Sequence, residues 1–262
     1  MTAPAVPEAV GTARRIVVKV GSSSISGDSA GQIGPLVDAL AAAHARGVEV
    51  VLVSSGAIAT GLPHLRLPER PTDLAVQQAA AAVGQSLLIH RYQERLEPHG
   101  IVAGQVLLTA GDVEDQVHRD NAERALSTLL RLRILPIVNE NDTVATHEIR
   151  FGDNDRLAAL VADLIRADLL VLLSDVDALY TRPPGEPGAL RIAFVAAGDP
   201  LPGVVAGESD TGVGTGGAVT KLAAARLAAD AGIAVLLTAT GEVSRALGGE
   251  RVGTWFEPVR RA

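Results

Sequence analysis

The sequence predicts an α/β fold, a mainly parallel open sheet covered by helices on both faces. Three observations carry that expectation. Short runs that are apolar from end to end recur along the chain, stretches of helical length alternate with them, and small polar turn residues follow nearly every run. A strand that is apolar throughout is buried on both faces, which is the condition of a parallel sheet whose crossovers are helices.

Taken in order, hydrophobic periodicity gives a strand over 15–20, a helix near 34–45, a strand over 49–53 and a long alanine-rich helix from about 73 to 96. A strand over 101–108 follows, then a helix near 121–132 and a strand over 134–138. After a short turn-rich stretch a helix starts near Asp155 and leads to the strongly apolar strand over 169–173. Residues 182–214 hold most of a Pro/Gly-rich insertion, after which a helix near 217–231, a strand over 233–237 and a short strand over 252–256 complete the chain. Residues 1–13 are expected to be a flexible N-terminus and 14–262 to form one domain. No internal repeat interrupts the pattern.

Composition narrows the function classes. With 262 residues, 47% hydrophobic and 20% charged, the chain is long enough to bury a large core. Residues 1–10 lack the basic start and apolar run of a signal peptide, and no apolar stretch approaches the ~18 residues of a membrane span, so a soluble, cytoplasmic protein is expected. There is no cysteine, which removes thiolate metal sites and cysteine nucleophiles. The six histidines, at 44, 64, 90, 99, 118 and 147, have no metal-ligand spacing and read as solvated or packed side chains. A net charge of −7 with 2% aromatic residues argues against nucleic acid, which needs a basic stripe or stacking platforms. A small-molecule partner remains, and if it is anionic it must be attracted locally by placed cations, loop amides and helix N-termini.

Of the 23 basic residues, 21 are arginine and two are lysine, Lys19 and Lys221. In a chain that uses arginine wherever a surface cation will do, the two lysines either survive by chance or mark places where a compact ammonium is needed rather than a planar fork, as against a phosphate oxygen. Both are expected to lie in glycine-rich loops: Lys19-Val20-Gly21-Ser22-Ser23-Ser24 after the first strand, and Gly212-Val213-Gly214-Thr215-Gly216-Gly217-Ala218-Val219-Thr220-Lys221 before a helix. Such loops cradle phosphates because backbone N–H groups approach closely and the helix dipole favours negative charge, although a single one is as often a plain tight turn. Neither is a Walker A loop, the dinucleotide fingerprint Gly-x-Gly-x-x-Gly is missing from the first strand, and the protein-kinase signatures do not occur.

In open parallel sheets ligands gather beyond the carboxyl ends of the strands. The other loops expected there are Ser54-Ser55-Gly56-Ala57, Asn139-Glu140-Asn141-Asp142, Gly152-Asp153-Asn154-Asp155 and Ser174-Asp175. Taken singly, an Asx cluster is a helix cap or a turn. Taken together, two lysine loops, a Ser-Gly loop and two acidic clusters on one sheet edge are what phosphoryl transfer needs: cations on the developing charge, carboxylates that fix those cations, and amides that hold the nucleophile in line.

Those segments, with Gly84-Gln85-Ser86, closely resemble the glutamate 5-kinases of the amino acid kinase superfamily, over about residues 14–257. The lysine-glycine loop of the first strand is shared across the superfamily, whereas Asn-Glu-Asn-Asp, Gly-Asp-Asn-Asp and Thr-Gly-Gly-x-x-Thr-Lys together mark the glutamate branch. The resemblance implies the superfamily's αβα sandwich and the ATP- and Mg²⁺-dependent conversion of L-glutamate to γ-glutamyl phosphate, the first step of proline biosynthesis. It implies that Lys19 and Lys221 stabilise the transferring phosphoryl group while Asp155 orients both. Ser55, Asp142 and Asn154 match the substrate-binding positions. The ATP site corresponds to Lys19, Ser174, Asp175, Thr215, Gly216, Gly217, Ala218, Val219, Thr220 and Lys221. No direct Mg²⁺ ligand is implied, the ion being carried by ATP phosphates and water. By the same resemblance the substrate site falls within about 14–165 and the ATP site within about 166–257. Proline as feedback inhibitor, a glutamyl-phosphate reductase as functional neighbour and a homo-oligomer, dimer or tetramer, come with the family. Two features depart from its pattern: there is no room for the C-terminal PUA domain many members carry, and Ala178 stands where a glycine precedes Leu-Tyr. Rival readings are a related kinase of N-acetylglutamate, aspartate, carbamate or UMP, and a non-catalytic amino-acid sensor on the same fold.

Overall fold

β1 (Arg15–Val20) divides its side chains between two cores, as a strand of period two must. Ile16, Val18 and Val20 pack into one and Val17 into the other, so Lys19, in phase with Val17, faces the second. The strands β2 (Glu49–Ser54), β5 (Leu169–Ser174) and β9 (Ala234–Ala239) are split in the same way. This is why their sequences are apolar without alternation. The computed structural model describes residues 6–67, 72–144, 154–201 and 218–260.

Among these residues eight strands form one sheet in the order β3 (Ala103–Leu108), β4 (Leu135–Glu140), β2, β1, β5, β9, β10 (Thr254–Phe256), β8 (Phe194–Val195). All neighbours are parallel except β9 and β10. A small antiparallel pair, β6 (Leu179–Tyr180) and β7 (Arg191–Ile192), stands apart. Helices α2 (Ile33–Ala45), α4 (Leu74–Leu96) and α9 (Val243–Leu247) cover one face. Helices α6 (Gln116–Arg131), α7 (Asn154–Leu164) and α8 (Ala218–Asp230) cover the other. Three short α-helices, α1 (Val6–Thr12), α3 (Ala57–Gly61) and α5 (Ala110–Glu114), and five 3-10 turns complete the described elements.

The chain runs outward from β1 to β2, passes to the edge strand β3, and steps back to β4 between β3 and β2. Helix α7 then carries it back over β2 and β1 to β5, on the other side of β1. The direction of winding therefore reverses at β1, and the crevice beyond the carboxyl ends of β1 and β5 is the place where such a sheet binds ligands. Lys19 sits at that edge, in register with Val53 of β2 and Leu172 of β5.

Several boundaries differ from the sequence-based expectation. Within the leader expected to be flexible, Val6–Thr12 are helical, and Val10 and Ala13 are buried. Helix α6 begins at Gln116 rather than 121, because Asp115 caps it, accepting hydrogen bonds from the amides of Val117 (3.0 Å) and His118 (2.9 Å). β4 extends two residues further, so Asn139 and Glu140 belong to the strand, opposite Leu107 and Leu108, and only Asn141 and Asp142 turn away. The lysines are likewise not in loops: Lys19 is the penultimate residue of β1 and Lys221 the fourth of α8, each adjoining its glycine-rich segment.

Candidate active site

The centre of the site is a buried carboxylate between two ammonium groups. Asp155, in the first turn of α7, lies 2.6 Å from Lys19 Nζ through Oδ1 and 3.6 Å from Lys221 Nζ through Oδ2. Thr220 Oγ1 donates to Oδ2 at 2.9 Å. Period two aims Lys19 at the face that α7 and α8 cover, and those two helices pack side by side with their first turns at the strand ends. Asp155 is 1% exposed, Lys19 3% and Lys221 7%, so all three charges are withheld from bulk water. Burial by itself would raise the carboxyl pKa of Asp155, but the charges of Lys19 and Lys221 and the hydrogen bonds from Lys19 and Thr220 outweigh it and hold the group below its ordinary value. The positive end of the α7 dipole acts in the same sense. Two ammonium groups on one carboxylate leave a net charge of +1 in a low-dielectric setting, a local attraction for an anion in a chain whose overall charge is −7.

On the other side of β1 are the expected substrate-binding residues. Ser55 follows β2, and its amide donates to Val20 O of β1 at 3.1 Å. Gly56 next to it has φ +94°, a conformation that favours glycine, and a Cβ there would lie 3.6 Å from Ser22 Cα and Cβ, so the loops after β1 and β2 touch. A Cβ on Gly21 would stand 3.8 Å from Lys19 Nζ. The glycine leaves that approach to the ammonium open. Asp142 is buried beyond β4, and desolvation pushes its carboxyl up to about 6. Asn154, immediately before Asp155, is 3% exposed, and its Oδ1 finds no hydrogen-bond partner among the described residues. A buried acceptor without a partner costs on the order of 1–3 kcal/mol, which an incoming N–H donor would recover.

Of the residues expected to hold a nucleotide, Ser174 closes β5 and donates to Asp175 Oδ1 at 2.9 Å, and Asp175 is exposed. Thr240, after β9, donates to Ser174 O at 3.1 Å and ties the two strand ends together. Ala218, Val219, Thr220 and Lys221 form the opening of α8. Thr215, Gly216 and Gly217 lie outside the described residues, as do Gly152 and Asp153. The structure thus brings Lys19, Asp155, Thr220 and Lys221 into direct contact, places Ser55 and Asp142 on one flank of β1 and Ser174 and Asp175 on the other.

Two polar residues on α4 belong to the surroundings of the site: the sequence names Gln85 only within the Gly84-Gln85-Ser86 resemblance and gives it no role, and does not single out Tyr92. Gln85 and Tyr92 both sit in a helix that otherwise reads as alanine-rich core. The available signal was a long polar side chain and one of only two tyrosines on the buried face of such a helix.

Comparison with known proteins gives a consistent answer. The model of the amino acid kinase family matches residues 14–239. A glutamate 5-kinase of Clavibacter michiganensis is 75% identical over 249 residues, 95% of this chain and 96% of that protein. A glutamate 5-kinase of Streptomyces coelicolor is 57% identical over 97% of this chain and 69% of that protein. Among solved structures, carbamate kinase from Giardia lamblia bound to AMP-PNP superposes with a TM-score of 0.67 at 15% identity, over 95% of this chain and 99% of the other. Uridylate kinase from Archaeoglobus fulgidus gives 0.60 at 17% identity, over 92% and 99%. At those identities the structural matches speak to the fold, and the sequence relatives to the branch. The chain belongs to the amino acid kinase family, in its glutamate 5-kinase branch.

Proposed function

We propose that this protein transfers the γ-phosphoryl group of ATP to the side-chain carboxylate of L-glutamate, giving γ-glutamyl phosphate and ADP. The observation that carries the reading is the buried Lys19–Asp155–Lys221 cluster at the edge of β1. A glutamate carboxylate is ionised at neutral pH, so one of its oxygens can attack phosphorus as the bond to the β-phosphate oxygen breaks, with no general base. Catalysis then reduces to holding nucleophile and phosphoryl group in line and neutralising charge as it develops. Lys19 and Lys221 supply that neutralisation, and Asp155 keeps two like charges close without letting them drift apart.

The same reading gives the flanking residues their roles. Ser55, Asp142 and Asn154 take the α-amino and carboxylate ends of glutamate, with Asp142 and the Asn154 carbonyl suited to the ammonium group. Ser174, Asp175 and the residues 215–221 take ATP. Mg²⁺ enters this reading with the nucleotide, carried by its phosphates and water, while Asp155 is engaged by lysines. The ion supplies charge neutralisation on the polyphosphate. The product is an acyl phosphate, prone to hydrolysis and cyclisation, which makes a cytoplasmic glutamyl-phosphate reductase its natural consumer in proline formation. Feedback by proline and assembly into a homo-oligomer accompany this reading. No helix among the described residues is long and apolar enough to cross a membrane.

The test is initial-rate ADP release by the purified protein with ATP and Mg²⁺. Release should depend on glutamate and should fall by about a hundredfold or more in Asp155→Asn, the scale of losing one charged element of a phosphoryl-transfer site. Asparagine keeps the shape of the side chain and removes its charge. Glutamate-independent release would remove the glutamate reading, and near-normal turnover in the variant would leave Asp155 as an ordinary first-turn residue of α7 and remove the site.

A further inference from the structure

Helix α4 contributes no residue to the substrate-binding set, yet it touches both loops that do. Gln85 is buried, and its amide makes three bonds, each of 3.2 Å. Nε2 donates to Glu140 O at the end of β4, and Oε1 accepts from Asn139 Nδ2 and from Gln105 Nε2 of β3. Asn139 Oδ1 in turn accepts from the amide of Glu140 at 2.9 Å. Seven residues on, and therefore on the same face of the helix, Tyr92 is fully buried with its hydroxyl 2.9 Å from Ser54 Oγ, which donates to Ser55 O at 3.1 Å. One helix face thus grips the end of β4, which leads to Asp142, and the end of β2, which leads to Ser55.

The register of that grip is fixed by backbone contact. A Cβ on Gly84 would lie 1.8 Å from Ala57 O, and one on Gly61 1.9 Å from Ala80 O, so α3, which starts two residues after Ser55, and α4 pack backbone against backbone. Glycine at 84 and glutamine at 85 are adjacent: the first sets the helix against the loop after β2, and the second sets it against the turn after β4. A neutral amide and a phenol in such places satisfy buried polar groups. They also fix the separation of two loops that must close on the two ends of one small ligand.

We infer that Gln85 and Tyr92 are positioning residues for glutamate, acting through Asn139–Glu140 and Ser54–Ser55 and not by touching the substrate. Lys19 and Lys221 have their own bracing in Asp155 and Thr220, on the opposite face of the sheet. The effect should therefore separate by substrate. The inference rests on the glutamate reading above.

The experiment is steady-state kinetics of Gln85→Met and Tyr92→Phe, each near the original in shape, with glutamate and ATP varied in turn. We expect KM for glutamate to rise about tenfold in Gln85→Met and about threefold in Tyr92→Phe, with KM for ATP within about twofold and kcat within about threefold, the scale of losing one or two neutral hydrogen bonds that serve binding. Unchanged glutamate KM in both variants, or a parallel rise for ATP, overturns the inference. If Gln85→Met does not fold, Tyr92→Phe decides, since it removes one hydroxyl and leaves Ser54 its bond to Ser55 O. Wild-type protein that turns over ATP without requiring glutamate overturns the earlier reading instead, and the two failures are told apart before any variant is made.

Discussion

Lys19 and Lys221 stand where only an ammonium meets the geometry. Each reaches one oxygen of the same buried carboxylate, and a guanidinium is wider, planar and cannot bring a single compact charge to a phosphoryl oxygen beside it. Lys19→Arg and Lys221→Arg should each lower kcat by about a hundredfold or more, as expected when a preorganised charge at the transition state is displaced. Arg131→Lys, an exposed residue at the end of α6, is the control and should change neither rate nor thermal midpoint. If the lysine variants match the control, their scarcity is a matter of composition alone. Asp142 makes a different prediction, about pH. Its carboxyl is raised to about 6 by burial, from an ordinary 3.8, so in the ligand-free protein its contribution to stability is greatest below pH ~4 and is lost as pH rises through about 6. Pairing with a substrate ammonium requires the ionised form. kcat/KM for glutamate should therefore fall about tenfold per unit below pH ~6, and Asp142→Asn should lower kcat/KM and abolish that inflection. An inflection that persists in Asp142→Asn belongs to another group, such as the ATP phosphate. At this scale the sequence was informative because the chemistry is carried by residue types that are rare here or clustered. What it withheld was the partner of each atom. That Thr220 donates to Asp155, or that Asn139 and Glu140 are strand residues bound to Gln85, depends on packing between elements far apart in the chain.

The long elements were legible because their patterns are long and their ends carry caps. The short ones were not. Helices α3, α5 and α9 span five residues each, too few for a helical period to show, and they exist because tertiary contacts hold them. For α3 that contact is the glycine crossing with α4. Gly84→Ala forces a Cβ to 1.8 Å from Ala57 O and should destabilise the protein by about 2–4 kcal/mol in equilibrium denaturation, the range for overpacking that displaces backbone. Gly11→Ala, in the last turn of α1 with nothing within 4 Å of its Cβ, should stabilise by about 0.5 kcal/mol through reduced freedom of the unfolded chain. Equal effects of the two substitutions would mean that the close crossing does not hold in solution. Strands β6, β7 and β8 were missed for a related reason. Each is two residues long, β7 and β8 inside the Pro/Gly-rich segment, with no alternation to read, and β8 is assigned only by where β10 lies.

For the whole molecule, the order of strands around β1 is what converts scattered motifs into a site. Periodicity alone predicts a parallel sheet and an active edge, but it does not say that α7 returns over β1 to place Asp155 between Lys19 and Lys221. The reversal of winding at β1 does, and it separates a flank with Ser55 and Asp142 from a flank with Ser174 and Asp175. In the proposed reaction, substrate choice follows from how far a side-chain carboxylate must reach between those flanks. An amino acid held by its α-groups on one side must reach across β1 with its side-chain carboxylate, and one methylene fewer leaves the nucleophile short of in-line attack. The most direct measurement is hydroxylamine trapping of the acyl phosphate formed from ATP and Mg²⁺ with glutamate, aspartate or N-acetylglutamate as acceptor. The account predicts hydroxamate from glutamate at a substantial rate and from neither of the others, since aspartate is too short and N-acetylglutamate lacks the ammonium that suits Asp142 and Asn154. Equal rates with aspartate or with N-acetylglutamate would contradict it.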